Sequence, residues 1–174
     1  MRRRSILLAV AVLAAGLLVA SLAGASAGKK NVRSDRLTGL QENPDVSSTG
    51  TGSFKATIDD DAQTITYELS YSALEGGAAL FAHIHFGKRA VNGGVSAFLC
   101  GGGDKPPCPA TEGTVTGVID AADVVGPAAQ GIEAGSFDEL VAAIRAGHTY
   151  ANVHSPRWPG GEIRGQINDQ DANN

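Results

Sequence analysis

The sequence predicts an all-β fold, an antiparallel β-sandwich with one short helix. Short segments in which polar and apolar residues alternate recur between residues 37 and 168. Turns rich in glycine separate these segments, and 23 of the 174 residues are glycine. A single stretch, residues 136–147, carries apolar residues at helical spacing instead. We therefore expect roughly seven or eight short strands and one helix.

The first 27 residues have the pattern of a signal peptide. Three arginines are followed by an apolar run and then by small residues, which fit cleavage after Ala25 or after Ala27. Both cleavage sites stay open, as does the choice between Sec and twin-arginine export. An uncleaved membrane anchor is the alternative interpretation. We expect export to the cell surface, the periplasm or the medium, without stable membrane insertion after cleavage.

The charge of the remaining chain excludes one class of partner. Cleavage after residue 27 removes three of the 14 basic residues and none of the 18 acidic ones, so the net charge changes from −4 to −7. An acidic domain lacks the basic patch by which proteins hold nucleic acid, so no nucleic-acid partner is expected.

Cys100 and Cys108 are the only two cysteines of the chain. An even cysteine count in an exported protein is typical of a disulfide. A pair of thiolate metal ligands is the alternative, but the spacing does not fit a zinc ribbon or a CxxC motif. We expect a Cys100–Cys108 disulfide.

The elements are predicted in chain order. Residues 28–36 are polar and basic and predict a flexible leader, residues 37–168 form the domain, and residues 169–174 are a polar tail. Strands at 52–58 and 64–71 flank an acidic turn and predict a hairpin. Further strands are expected at 37–42, 81–87, 95–99, 113–119, 149–154 and 162–168.

The helix has recognisable start and stop signals. Ser136 is followed three residues later by Glu139, which predicts a capping box. Gly147 provides the stop signal. The apolar residues at helical spacing between them are Phe137, Leu140, Val141 and Ile144.

Three blocks of residues carry a family resemblance. Residues 37–44 fit L-x-G-x-x-E-x-P, residues 82–85 read A-H-I-H, and residues 150–155 with 159–166 read Y-A-N-V-H-S and P-G-G-E-I-R-G-Q. In this order and spacing they resemble the CHRD domain family, first named from chordin and found in many exported bacterial proteins. The resemblance implies an immunoglobulin-like sandwich, often compared with Cu/Zn superoxide dismutase, and no established enzymatic activity.

The histidines are the candidate site. In strands, Phe81, His83 and His85 share one face, and Tyr150, Asn152 and His154 share another. We expect the three imidazoles to meet at one rim where two sheets close. They would then hold one metal ion, for which the Irving–Williams order favours copper and puts zinc second. In the alternative interpretation the imidazoles only bond loops or carboxylates and close the end of the sandwich.

Four polar residues have expected supporting roles. Asn152 and Glu162 are candidates to orient the imidazole N–H groups around a metal. Arg164 is expected to pair with Glu42 or with Glu162 and so to tie the first and last strands together.

The function predicted from the sequence is an exported, single-domain CHRD-like binding or interaction module, with or without one copper or zinc ion on the three histidines. Its partner is an unknown protein or small ligand. The alternative is a copper-dependent oxidoreductase of the superoxide dismutase type. No catalytic residue can be named from the sequence, and we expect the module rather than the enzyme.

Overall fold

The computed structural model describes residues 28–169. The predicted signal peptide (1–27) and residues 170–174 of the predicted tail lie outside the described residues. Within them are eight strands, one α-helix and three single-turn 3-10 helices. The strands and the helix are β1 Lys30–Thr38, β2 Thr51–Asp59, β3 Thr64–Ser72, β4 Phe81–Phe86, β5 Gly94–Cys100, β6 Gly113–Ile119, α1 Phe137–Arg145, β7 Thr149–His154 and β8 Ile163–Asp169.

The strands form one antiparallel sheet in the order β5-β4-β7-β8-β1-β2-β3-β6. The sheet curls so that its two edge strands approach each other. Tyr67 of β3 spans the gap, because its hydroxyl donates to the Leu99 carbonyl of β5 at 2.7 Å. The predicted all-β antiparallel fold with one short helix is confirmed, as one curled sheet.

The hydrophobic core lies inside this curl and follows the predicted alternation. In the β2–β3 hairpin the register runs unbroken from Thr51 opposite Ser72 to Asp59 opposite Thr64, which confirms the predicted hairpin. The hairpin buries Phe54, Ala56, Ile58, Ile65, Tyr67, Leu69 and Tyr71.

Helix α1 packs its apolar stripe against this core, as the helical spacing predicted. It buries Phe137, Leu140, Val141, Ala143 and Ile144. The predicted capping box is wrong, because the Ser136 side chain makes no capping hydrogen bond. Ser136 has φ −77° and ψ 72° rather than the extended backbone that an N-cap usually adopts, so its hydroxyl does not reach the first turn.

The prediction of a flexible leader over residues 28–36 is wrong from residue 30 onward. Lys30–Thr38 forms β1, which pairs with β2 on one side and with β8 on the other. The segment reads as polar because half of its residues face outward, whereas Val32 and Leu37 are buried in the core. The expected strand at 37–42 therefore belongs largely to β1 and to the 3-10 turn Gly39–Gln41.

The predicted disulfide is confirmed. Cys100 and Cys108 are joined, with an S–S distance of 2.00 Å, and the bridge closes the loop that follows β5. Across residues 28–169 no helix combines the length and the hydropathy that a bilayer crossing requires.

A three-histidine cluster as candidate site

The two histidine strands are direct neighbours in the sheet. In the β4–β7 ladder, Phe81 lies opposite His154, His83 opposite Asn152 and His85 opposite Tyr150. All six side chains therefore share one face, as the two separate alternations predicted. The expected meeting of two sheets at a rim is wrong, because strand pairing itself brings the imidazoles together. Their face is the one turned away from the core, since Ala82 and Ile84 of β4 fill the core side.

The imidazoles converge on a small volume. His83 Nδ1 lies 3.1 Å from His154 Nε2, and His85 Nε2 lies 3.4 Å from the same atom. One nitrogen from each ring lies within 4.8 Å of the others. The three histidines that the sequence selected as candidates therefore lie together.

Two loops fix the orientation of the rings through backbone carbonyls. His85 Nδ1 lies 3.0 Å from the Gly93 carbonyl oxygen, and His154 Nδ1 lies 3.0 Å from that of Pro159. A carbonyl oxygen only accepts hydrogen bonds, so these two Nδ1 atoms carry the protons. The Nε2 atoms of His85 and His154 therefore present lone pairs to each other.

His83 completes this arrangement with a single proton. Because His154 Nε2 is an acceptor, His83 Nδ1 donates to it across 3.1 Å. In the neutral cluster, one N–H group and two lone pairs therefore point into the space between the three rings. If the His83 proton moved from Nδ1 to Nε2 of the same ring, all three nitrogens facing that space would carry lone pairs. One cation could then bind all three nitrogens.

Burial keeps the imidazoles neutral. His83, His85 and His154 are only 7%, 7% and 6% exposed. Burial, together with the charge repulsion from His154 and His85, lowers the pKa of His83 to about 3. Burial is also the main cause that lowers the pKa of His85, to about 4. The pKa of His154 is lowered by burial as well, against a raising contribution from its bond to Pro159.

Aromatic rings surround the cluster. The His83 ring stacks on Phe81, with centroids 5.8 Å apart, and meets Phe98 edge-on at 4.5 Å. The His85 ring stacks on Tyr150 at 4.9 Å, with an angle of 4° between the planes. These contacts fix the planes of both imidazoles.

Asn152 and Glu162 do not orient the imidazoles, so that prediction is wrong. Asn152 Nδ2 donates to the Glu42 carboxylate at 2.6 Å and to the Ile163 carbonyl at 2.9 Å. The Glu162 carboxylate accepts from the Ser48 hydroxyl at 2.7 Å and from the Glu75 N–H at 2.7 Å. Both side chains hold loops against the sheet, and the role of orienting the rings falls to backbone carbonyls.

Glu42 is a buried carboxyl that belongs to this network. It is 6% exposed and lies beside Asn152. Burial raises its pKa to about 7, although the Asn152 hydrogen bond and the charge of Arg164 act in the opposite direction.

The contacts of Arg164 also differ from the prediction. Its guanidinium donates to the Lys88 carbonyl at 2.8 Å and to the Val91 carbonyl at 2.9 Å, rather than pairing with Glu42 or Glu162. Its Cζ atom lies 3.4 Å from the centre of the Tyr150 ring. Arg164 thus holds the loop that carries Gly93, and it stacks on the ring that stacks on His85.

Gln166 and Tyr150 hold the same loop. Gln166 Nε2 donates to the Gly87 carbonyl at 3.0 Å and to the Gly147 carbonyl at 2.8 Å. The Tyr150 hydroxyl accepts from the Gly93 N–H at 3.1 Å. Strand alternation places both side chains on the histidine face, but their loop partners carry no signal in the sequence.

The cluster matches a metal site in donor type and, for two of its nitrogen separations, in size. Bonds of about 2.0 Å to imidazole nitrogens place neighbouring ligands of a tetrahedral ion roughly 3.3 Å apart. Two of the separations here are 3.1 and 3.4 Å. Carbonyl bonds to the distal ring nitrogen, as at His85 and His154, are typical of metal-ligating histidines.

Comparison with known proteins identifies the family. The sequence model described as the CHRD domain matches residues 34–167. That match covers both histidine strands and the motifs around them. Neither the curated proteins nor the solved structures gave a match. The predicted likeness to Cu/Zn superoxide dismutase therefore stays a prediction.

Proposed function

The chain belongs to the CHRD domain family, and on that premise we propose that it is an exported binding or interaction module that holds one copper or zinc ion through His83, His85 and His154. The observation that carries the proposal is the convergence of the three ring nitrogens, with separations of 3.1 and 3.4 Å at His154 Nε2. Two of the rings are fixed from behind by backbone carbonyls.

The protonation state of the histidines supports metal binding. The low pKa values of His83 and His85 keep both imidazoles unprotonated at neutral pH, and only an unprotonated nitrogen binds a metal. Three neutral imidazoles suit copper first and zinc second. The alternative, that the imidazoles only close one end of the fold, leaves the His85 Nε2 lone pair facing that of His154, with the one N–H of the cluster, on His83, already donated to His154.

Support for export comes from the disulfide. A Cys100–Cys108 bridge is stable in an oxidising compartment and is rare in the cytosol. The signal peptide proposed for residues 1–27 predicts that protein recovered outside the cytoplasm begins at residue 26 or 28. Intact mass measurement of that protein checks both cleavage sites, and a mass that includes the first 25 residues would contradict the proposal.

Metal titration tests the site. Calorimetric titration with Cu(II), and separately with Zn(II), is expected to give a stoichiometry of about one per chain at neutral pH for wild type. The double variant His83→Ala/His85→Ala should lose this binding, because it retains one of three ligands. His148→Ala is the matched control, since His148 lies outside the three-histidine group.

Equal binding by wild type and the double variant would remove the metal site from the proposal. The copper-loaded wild type also tests the alternative oxidoreductase, because such an enzyme must turn over superoxide in the presence of EDTA, which suppresses catalysis by free copper. Turnover that EDTA abolishes supports the module.

A further inference from the structure

We propose that the site holds copper preferentially as Cu(I), and that the buried guanidinium of Arg164, stacked through Tyr150 onto His85, sets this preference. The inference rests on the proposed function, because it concerns the oxidation state of the ion that the three histidines would hold. It concerns the couple in which Cu(II) gains one electron to give Cu(I).

The ligands supply no negative charge. Across residues 28–169, the metal-ligating groups that converge here are the three imidazoles alone. Each is neutral when it binds through a lone pair, so the full charge of the ion stays on the complex. A site of this kind favours the ion of lower charge when it is removed from water.

The surroundings of the cluster are largely aromatic. The three histidines are at most 7% exposed, and Phe81, Phe98 and Tyr150 lie against their rings. Stabilising the second charge of Cu(II) normally depends on polar or anionic neighbours. Aromatic faces supply far less of that stabilisation than water or a carboxylate would.

Arg164 adds a permanent positive charge. Its side chain is 2% exposed, and the guanidinium stays protonated at any pH that the fold tolerates. It lies 3.4 Å from the Tyr150 ring centre, and the Tyr150 ring lies 4.9 Å from that of His85. The three planar groups form a stack that ends at a candidate ligand, and the guanidinium repels Cu(II) more strongly than Cu(I).

Two buried carboxyls, Glu42 and Glu162, share this face, and both are engaged by other groups. Burial raises the pKa of Glu42 to about 7, so this carboxyl is only partly ionised at neutral pH. The Glu162 carboxylate accepts hydrogen bonds from two neighbouring loops, which offset part of its charge. Lys88 and Arg89, on the loop above, carry the same sign as Arg164 and are exposed to solvent.

The expected size follows from Coulomb's law. One unit charge roughly 10 Å from the ion, at an effective dielectric constant of about 20, changes the ratio of the two affinities about tenfold. For a one-electron couple this corresponds to a shift of about 60 mV in the reduction potential of the bound copper.

Competition with chelators tests the inference. The full protein is titrated with Cu(I) under nitrogen against bicinchoninate, and with Cu(II) against nitrilotriacetate. Wild type should bind Cu(I) more tightly than Cu(II). Arg164→Gln should lower the Cu(I) to Cu(II) affinity ratio about tenfold, chiefly by tightening Cu(II), whereas Arg164→Lys keeps the charge and should stay close to wild type.

The outcomes separate the two proposals. If wild type binds neither ion, the proposed function and this inference both fail. If wild type binds one Cu(II) through the histidines more tightly than Cu(I), this inference alone fails, and that result needs no variant to fold. An equal fall of the ratio in the Gln and Lys variants would also overturn it, because it would show that Arg164 acts only by holding the loop.

Discussion

Replacing His83 with asparagine should reduce the pH dependence of the metal-free protein's stability by about 2 kcal/mol between pH 7 and pH 5. The pKa of His83 is about 3 in the folded protein and 6.5 as its ordinary value. Between pH 6.5 and about pH 3, His83 therefore binds a proton in the unfolded chain but not in the folded chain. The stability that this group contributes is fully present above pH 6.5 and is lost as the pH falls toward 3.

The magnitude follows from the proton count. One proton taken up only by the unfolded chain costs about 1.4 kcal/mol for each pH unit below its unfolded pKa. Lowering the pH from 6.5 to 5 covers about one and a half such units, which gives the 2 kcal/mol. His85 adds a similar loss, because its pKa of about 4 also lies below this range.

Asparagine is the informative substitution because its Nδ2 can replace the His83 Nδ1 donor toward His154. Packing lost against Phe81 and Phe98 is the same at both pH values and cancels in the comparison. Urea unfolding of the metal-free wild type and variant at pH 7 and pH 5 measures how much the free energy of unfolding of each protein changes between the two pH values. If the variant loses as much stability as wild type over this interval, His83 is not held neutral and the electrostatic account of the site is wrong.

Three further predictions follow from the same network. Glu42→Gln, which keeps an oxygen to accept from Asn152, should stabilise the protein by about 2 to 3 kcal/mol more at pH 8 than at pH 5. The reason is that the unfolded carboxyl ionises above pH 4.5 whereas the folded one stays protonated up to about pH 7, so wild type loses stability over that window. Equal effects at both pH values in urea unfolding would contradict the buried carboxyl. Reducing the Cys100–Cys108 bridge should lower the free energy of unfolding by about 2.5 kcal/mol, as measured by the same method with and without reductant; an unchanged midpoint would show that the loop is constrained without it. Bound copper should stay on the protein at pH 6 and be released only toward roughly pH 4, because the pKa values of His83 and His85 lie near 3 and 4. Dialysis at stepped pH measures the release, and loss of the copper by pH 6 would contradict this prediction.

Local patterns predicted most of what the site needs. Period-2 alternation assigned His83, His85 and His154 to the correct faces, and the turn residues located the hairpin. The disulfide could be predicted from an even cysteine count in a chain that is expected to be exported. These features depend on residues close together in sequence, and the single chain therefore reveals them.

The pairing of strands distant in sequence could not be predicted. Nothing in residues 30–36 shows that β1 pairs with β8, because β8 is the last strand and lies far from β1 in the chain. The same holds for β4 and β7, which were expected at the rim of two sheets and are instead adjacent. Alternation shows which side chains share a face but not which strand lies beside them.

The roles of the motif residues depend on backbone groups that have no side-chain signature. Arg164 binds the carbonyls of Lys88 and Val91, whereas the charges in the sequence predict carboxylate partners. The need for glycine at Gly161 also comes from backbone geometry. It has φ +133°, and a Cβ atom there would collide with the Glu42 and Asn152 side chains. Several residues of the family motif therefore hold loops against the sheet.

X-ray absorption spectroscopy of the copper-loaded wild type tests the three-histidine site most directly. The account predicts a nearest shell of nitrogen at about 2.0 Å, with outer-shell scattering that fits three imidazole rings, and loss of that scattering in the His83→Ala/His85→Ala variant. A spectrum that fits one imidazole or none, or that is the same in both proteins, would contradict it.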